Sequence, residues 1–107
     1  MEKRLTCTFL GTTCVVRFAR YRDTGHVAIR LEDPEGMPFA TATVNAPDVF
    51  LEGDEVLIKN WSENEGILDA LVRAGIVKVT PMRVTVGRAV APVCKLTGLA
   101  RARLAKA

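Results

Sequence analysis

The residues best suited to recognition chemistry lie in one short segment, where an aromatic ring, an amide and several carboxylates follow one another. The segment begins at Trp61 and ends at an acid eight positions later. Such groups, gathered at the start of a helix, could form an edge that recognises a protein partner. Asn64 favours this interpretation, because helix capping does not require an amide there. The candidate binding residues are Trp61, Glu63, Asn64, Glu65 and Asp69.

The same segment also has a purely structural interpretation. Ser62 and Glu65 have the spacing of a capping box, in which each side chain accepts a hydrogen bond from the other residue's backbone N–H. Trp61 could pack near Gly66 or Ile67 as a hydrophobic staple. Two acids could hold a cation, but their spacing matches no calcium loop. The local pattern by itself favours the structural interpretation.

Groups that commonly carry catalysis are sparse. His26 is the only histidine, and we expect it at a turn, facing solvent, with no local partner for a hydrolytic triad. Acids are frequent in residues 48–69, but nothing selects a catalytic pair. The chain has three cysteines, Cys7, Cys14 and Cys94. Because this number is odd and no Cys-x-x-Cys spacing occurs, a disulfide framework is not expected. A zinc site would need all three with His26. We therefore expect no enzyme, no metal and no cofactor.

Charge is segregated along the chain, although the total is only +3. Residues 1–30 carry six bases and two acids, a net of +4. Residues 31–69 carry ten acids and one base, a net of −9, and residues 70–107 carry eight bases and no acid, a net of +8. Whether these blocks form separate faces or neutralise one another depends on the fold, because salt screens charges beyond about 8–10 Å.

The basic final third could follow a phosphate backbone. Its candidate nucleic-acid contacts are Arg83, Arg88, Lys95, Arg101 and Arg103. No aromatic residue lies among them to stack on bases, and the acidic block would repel phosphate. Only weak, salt-sensitive binding is expected.

Hydrophobic periodicity and turn signals predict a single α+β domain over residues 1–96, followed by a basic C-terminal tail over 97–107. Apolar residues make up 49% of the 107 and charged residues 25%, an ordinary globular balance. We expect five or six mostly antiparallel strands, as a curled sheet or open barrel, and one amphipathic helix. The expected strands are 5–10, 14–21, 26–32, 39–45 and 55–60, then a β-rich run over 82–96 after a break at Pro81; the helix covers 62–75.

Residues 61–77 resemble a family of small bacterial proteins known only as a domain of unknown function. In that family an aromatic-Ser-Glu-Asn-Glu-Gly element leads a short helix ending in Ala-Gly-Ile-Val. The resemblance extends to 42–47 and 92–96, covers roughly 26–96, and departs after Thr80, where Pro81 and Met82 replace an expected glycine. It implies a bacterial, cytosolic, stand-alone domain and no particular chemistry.

The leading functional hypothesis is a non-enzymatic module that binds a protein partner, or a second copy of itself, through the acidic helix-start surface and an exposed basic strand or tail. The alternative is a nucleic-acid-associated protein that uses the basic final third. No uncharged stretch exceeds twelve residues, against about 20 needed to cross a bilayer, so no membrane association is expected. The unpaired cysteines favour a reducing cytoplasm.

Overall fold

The computed structural model describes residues 4–107, which form two antiparallel sheets and two helices. The first sheet has the order β1 (Thr6–Phe9), β2 (Thr12–Arg20), β3 (Val27–Glu32), β4 (Pro38–Thr41). The second has the order β5 (Glu55–Leu57), β7 (Ala89–Leu96), β6 (Val77–Val86). The helices are α1 (Ile67–Arg73) and α2 (Gly98–Leu104), and Ser62–Asn64 forms one 3-10 turn. Residues 1–3 of the expected domain 1–96 lie outside the described residues.

The predicted α+β class is confirmed, whereas three details of the prediction differ from the structure. Seven strands and two helices replace the expected five or six strands and one helix. The strands form two sheets, not closed into a barrel, where we expect a single curled sheet or open barrel. Most of the extra strand count comes from the run predicted over 82–96. This run contains the second half of β6 and the whole of β7, and the hairpin turn at Gly87 lies between them. Gly87 thus divides the predicted run into two strands.

The hairpins of the first sheet follow from local pattern. Alternating apolar residues in β2 and β3 place Phe18 opposite Ile29, as antiparallel pairing of the predicted strands 14–21 and 26–32 requires. Between β1 and β2 the turn consists of Leu10 and Gly11, which both have positive φ, 51° and 77°. Two such residues make the tight turn whose twist matches antiparallel strands, and it fixes the register of the pair.

The two sheets meet at a corner just after β4. Thr43 forms an isolated bridge with Ile58, and the Lys59 N–H donates to the Ala42 carbonyl at 2.8 Å. The chain therefore pairs first with β3 and then with the end of β5. This change of partner places residues 59–64 beside β4.

The main core fills the space between the two sheets and is closed by both helices. Its fully buried members include Ile29, Leu31, Leu71 and Leu96. A second, smaller core covers the opposite face of the β5–β7–β6 sheet, where Leu57, Ala91 and Val93 are buried under Ala46. Partly buried Trp61 also packs there.

The predicted single helix over 62–75 is wrong in its first turn. Gly66, at φ 94°, separates the 3-10 turn from α1, which begins five residues later than predicted. Ser62 makes no side-chain capping bond, so the expected capping box does not form. Asn60 takes this role, because its Oδ1 accepts from the N–H groups of Gly66 at 3.1 Å and Leu68 at 3.0 Å.

The C-terminal end of α1 agrees with the prediction. Gly75 adopts a left-handed conformation, at φ 73°, and the Ile76 N–H donates back to the Leu71 carbonyl at 3.0 Å. This is the arrangement in which a glycine lets the chain reverse and satisfy the last helical carbonyls.

Pro81 does not end a strand, contrary to the prediction. β6 runs across it with a shift in register between Val79 and Arg83. β6 is the outer strand of its sheet, so a residue without an N–H is tolerated there.

Residues 98–104, within the predicted basic tail, form α2. Thr97 caps this helix: its Oγ1 accepts from the Ala100 N–H at 3.2 Å and donates to the Gly75 carbonyl at 2.7 Å. A helix this short is marginal alone, but Ala100 is buried and Leu104 packs on the main core. Tertiary contacts therefore hold α2 in place.

Candidate functional site

A cleft of about 620 Å³ lies between β4 and residues 59–64. Its apolar end, near the start of β4, is formed by Phe9, Leu10 and Phe39. Its polar end lies where the chain leaves β4, at Tyr21 and Asn45. We call this site the β4 cleft.

The apolar end is built by side chains that the curvature of the first sheet brings together. Phe9 and Phe39 lie on opposite outer strands, yet their rings are in edge-to-face contact, with centroids 6.3 Å apart and planes at 87°. Phe9 is buried, Phe39 is 37% exposed and Leu10 is 68% exposed. The cleft therefore presents apolar surface that the rest of the chain leaves uncovered.

Two non-glycine residues within 4–107 have positive φ; one lines the β4 cleft, and the other immediately precedes two residues that line it. They are Leu10, at 51°, and Ser62, at 55°. A left-handed conformation costs an L-residue about 1–2 kcal/mol. Such strain tends to persist at functional sites, where the position of a side chain matters more than its local stability. Leu10 itself lines the cleft, and Ser62 precedes Glu63 and Asn64, which also line it.

Asn64 closes part of the free edge of β4. Its side chain is 3% exposed, and its Nδ2 donates to the Thr41 carbonyl at 2.6 Å. Because the Ala42 N–H bonds to Ile29 in β3, the main-chain groups of Thr41 point away from β3 and toward the cleft. Asn64 thus takes the place that the N–H of a neighbouring strand would occupy, and the Thr41 N–H points to the same side.

The polar end is ordered by hydrogen bonds within the chain. The Tyr21 hydroxyl and Thr43 Oγ1 are 2.9 Å apart. Asn45 accepts from Thr24 Oγ1 and donates to the Asp23 carboxylate, each at 2.9 Å. These side chains hold fixed positions from which to contact a ligand.

Lys59 and Glu63 form an ion pair on the wall formed by residues 59–64. The hydrogen bond from Lys59 lowers the pKa of the Glu63 carboxyl. Glu63 therefore stays ionised near neutral pH, where it can accept a hydrogen bond but has no proton to donate. Chemically, the cleft offers apolar contact, hydrogen bonding and one charge pair.

The predicted acidic site is divided by the fold. Glu63 and Asn64 line the β4 cleft. Trp61 packs on the second core, so the expected staple against Gly66 or Ile67 is not formed. Glu65 and Asp69 are exposed outside the cleft, and Asp69 pairs with Arg73 at 2.9 Å.

Sequence reasoning missed the aromatic residues of the cleft and its exposed leucine, which are Phe9, Leu10, Tyr21 and Phe39. A usable signal existed for Leu10: an apolar residue beside glycine, between two alternating runs, indicates a two-residue turn with an exposed side chain. Phe39 and Tyr21 gave no such signal, because their meeting depends on tertiary curvature.

The five basic candidates do not share one surface region. Arg88 is at the turn end of β7, whereas Lys95 is near the other end, where α2 carries Arg101 and Arg103. Eight residues of strand separate these ends by roughly 25 Å. Arg83 lies on β6, and Arg101 is 3.6 Å from the Asp54 carboxylate.

The charge blocks interleave in the fold. Within residues 4–107, three of the four ion pairs join an acid of the middle block to a base of a flanking block. These three pairs are Arg17–Glu32, Arg73–Asp69 and Arg101–Asp54. The segregation along the chain is thus partly neutralised at short range.

His26 differs from its predicted position. It is half-buried, where we expected it to face solvent, and its Nδ1 is buried without a hydrogen-bond partner in the described chain. It lines a second cavity of about 450 Å³, with Arg20 and Asp48. Across residues 4–107, His, Cys, Asp and Glu side chains form no group that could hold a metal ion.

No family model, curated protein or solved structure matches this chain. The resemblance of residues 61–77 to the uncharacterised bacterial family therefore stays a prediction. In the part of the chain that the structure describes, no helix has the length and hydropathy needed to cross a membrane.

Proposed function

We propose that this protein is a non-enzymatic interaction module that binds an extended segment of a partner protein in the β4 cleft. The observation that carries the proposal is Leu10, an exposed apolar residue held in a strained conformation at the mouth of a cleft. Exposed apolar surface in a concave site favours ligand binding over chance exposure.

The edge strand suggests the binding mode. An extended segment can add to an open strand edge through main-chain hydrogen bonds, while its alternate side chains enter pockets. Here the Thr41 N–H offers a main-chain donor, and Phe39 with Leu10 offers an apolar contact. The Lys59–Glu63 pair and Asn45 would fix the register of a polar side chain.

We keep the leading hypothesis of a protein-binding module but assign its binding surface to a different region. The partner surface is the β4 cleft, which includes Glu63 and Asn64, rather than the whole acidic start of the helix. The nucleic-acid alternative has less support, because its five bases lie at separate places and Arg101 is ion-paired. We also propose a cytoplasmic location, which the three free thiols support.

The test is selection of peptides from a random phage-displayed library on the immobilised protein, followed by nuclear magnetic resonance mapping of the bound peptide. The expected result is enrichment of sequences with an apolar residue and the largest amide shifts at Leu10, Phe39 and Thr41. The Phe39→Ser variant should bind about tenfold more weakly or worse, since a central aromatic contact is lost.

The matched control is Phe50→Ser, which removes an aromatic side chain that is 82% exposed and lies outside the cleft. It should leave peptide affinity unchanged. The proposal fails if no peptide is enriched, or if the bound peptide shifts residues of the β6–β7 hairpin instead of β4.

A further inference from the structure

Two buried cysteines face each other across the first hairpin. The register of β1 and β2 places Cys7 directly opposite Cys14. The two-residue turn at Leu10 and Gly11 fixes this register, because it sets Phe9 opposite Thr12 and the pairs behind it follow. Both side chains belong to the main core and so lie on the same face of the sheet.

The backbone geometry at this pair is compatible with a disulfide. The Val16 N–H donates to the Leu5 carbonyl at 2.8 Å, so the pair two residues away, Cys7 and Cys14, is also of the hydrogen-bonded kind. Cα atoms in such pairs are about 5.5 Å apart, inside the range of roughly 4.4–6.8 Å seen for disulfides.

The Cβ atoms must move closer for the bond to form. Opposed Cβ atoms in a sheet are about 4.5–5.5 Å apart, whereas a disulfide needs about 3.5–4.5 Å. β1 can make this adjustment, since it is the outer strand and pairs with β2 alone in its sheet. The resulting bond would be strained, and strained disulfides are the ones most easily reduced again.

A small oxidant has a route to Cys7. A surface cleft of about 360 Å³ lies between β1 and α1, and Cys7 is among its lining residues, with Ala70 and Arg73 at the helix side. Cys94 has no comparable opposite sulfur, because its neighbours across the strands are Val56 and Val79.

We infer that Cys7 and Cys14 form a reversible disulfide when the folded protein meets a hydroperoxide, and that Cys94 stays a free thiol. The Cys7 thiolate attacks one oxygen of hydrogen peroxide; the O–O bond breaks, and the departing hydroxide takes up a proton to leave as water. Cys7 is then a sulfenic acid. Cys14 gives up its proton and attacks the Cys7 sulfur, so the S–S bond forms, the S–O bond breaks and a second water leaves. The two thiols lose two electrons in total, and the peroxide gains them.

Burial makes the reaction slow rather than impossible. It raises the pKa of the Cys7 thiol to about 11, with the neighbouring Cys14 adding to the shift. Burial also raises the pKa of Cys14, and Asp33 adds to it. The thiolate that reacts is therefore a minor species at neutral pH, and we expect conversion over hours with excess peroxide.

The test treats the folded full-length protein with hydrogen peroxide, alkylates free thiols under denaturing conditions and digests with trypsin. Cleavage after Arg4 and Arg17 places both cysteines in one peptide, 5–17, and cleavage after Arg88 and Lys95 places Cys94 in another, 89–95. The expected product is a 5–17 peptide without alkyl groups, lighter than the reduced peptide by two hydrogen atoms. The 89–95 peptide should stay alkylated, and dithiothreitol should restore alkylation of 5–17.

Two variants separate the disulfide from other oxidation. Cys94→Ala should give the same 5–17 product. Cys14→Ala should instead leave Cys7 as a sulfenic acid, which dimedone traps or which oxidises further. The inference is overturned if wild-type 5–17 stays fully alkylated, if it joins 89–95 or a second chain, or if Cys7 is over-oxidised while Cys14 remains alkylated.

Discussion

Strands β4 and β6 are both outer strands with exposed apolar side chains, and they differ in what surrounds them. β4 forms one wall of a cleft and carries the half-exposed Phe39. β6 carries Val79 and Met82, each more than half exposed, on the arm of a long hairpin. Exposure of apolar residues is thus common to both regions and does not by itself mark a binding site.

The two edges are protected in different ways. β6 has a proline, a register shift and the bases Lys78 and Arg83 along its length. These features are typical of edges that must not pair with another strand. β4 also has a proline, Pro38, at its first position and a register shift beside it, but it carries no charged residue. At Thr41, beyond that start, the edge is protected by one side chain, Asn64, that bonds to the Thr41 carbonyl.

This difference separates an edge built to stay unpaired from one that a partner could use. A side chain that satisfies one carbonyl can be displaced by a partner's N–H, whereas the proline and the register shift in the middle of β6 cannot be removed by binding. The apolar contact beside β4 also lies in a concave site. Shape and edge chemistry together, more than apolar exposure, support the β4 cleft as the binding site.

The largest effect is expected at Asn64. Asn64→Ala removes the hydrogen bond to the Thr41 carbonyl and leaves a small void at a buried position, so it should lower the free energy of unfolding by about 1–3 kcal/mol. Urea denaturation measures this directly. The matched control is Glu65→Ala, at the exposed neighbouring position, which should change stability by less than about 0.5 kcal/mol. Equal stability of wild type and Asn64→Ala would show that this bond does not hold residues 59–64 against β4.

A smaller effect of opposite sign is expected at Leu10. Asparagine tolerates the positive φ of this position better than leucine does, so Leu10→Asn should raise the free energy of unfolding by up to about 1 kcal/mol. Because the apolar side chain is lost, the same variant should bind peptide in the cleft more weakly. Denaturation and peptide titration are measured on the same sample. Met82→Asn, which removes an exposed apolar side chain from the β6 arm, should neither stabilise the protein nor change peptide affinity. A Leu10→Asn protein that binds peptide as well as wild type would remove the main support for the cleft.

Local pattern was sufficient for some elements. The β2–β3 hairpin was predicted because alternation and a turn signal coincide, and the end of α1 because Gly75 marks it. The start of α1 was not predicted correctly. The spacing of Ser62 and Glu65 satisfies the rule for a capping box, but the backbone at Ser62 has positive φ and the box does not form. Asn60, the residue that caps instead, acts across six to eight positions, beyond the reach of that rule.

The cleft was only partly predictable for a related reason. Glu63 and Asn64 were selected because polar types cluster near them. Phe9 and Phe39 lie thirty positions apart and meet only because the first sheet curls, and no local periodicity encodes that curvature. The side-chain bond from Asn64 to Thr41 likewise joins segments that are independent in sequence.

The smallest effect is expected on the other edge, at Pro81. Pro81→Val restores an N–H and a residue that favours strands, which lets β6 adopt a more regular edge and pair with the same strand of a second molecule. We expect weak concentration-dependent association by analytical ultracentrifugation, beyond that of wild type, with little change in the unfolding midpoint. Thr85→Val is the matched control, since it adds the same side chain to exposed β6 without adding a donor, and it should sediment like wild type. If Pro81→Val also sediments like wild type, the bulge and the neighbouring bases are sufficient to keep β6 unpaired. The contrast with β4 would then rest on charge and shape, because the missing N–H would have no measurable part in it.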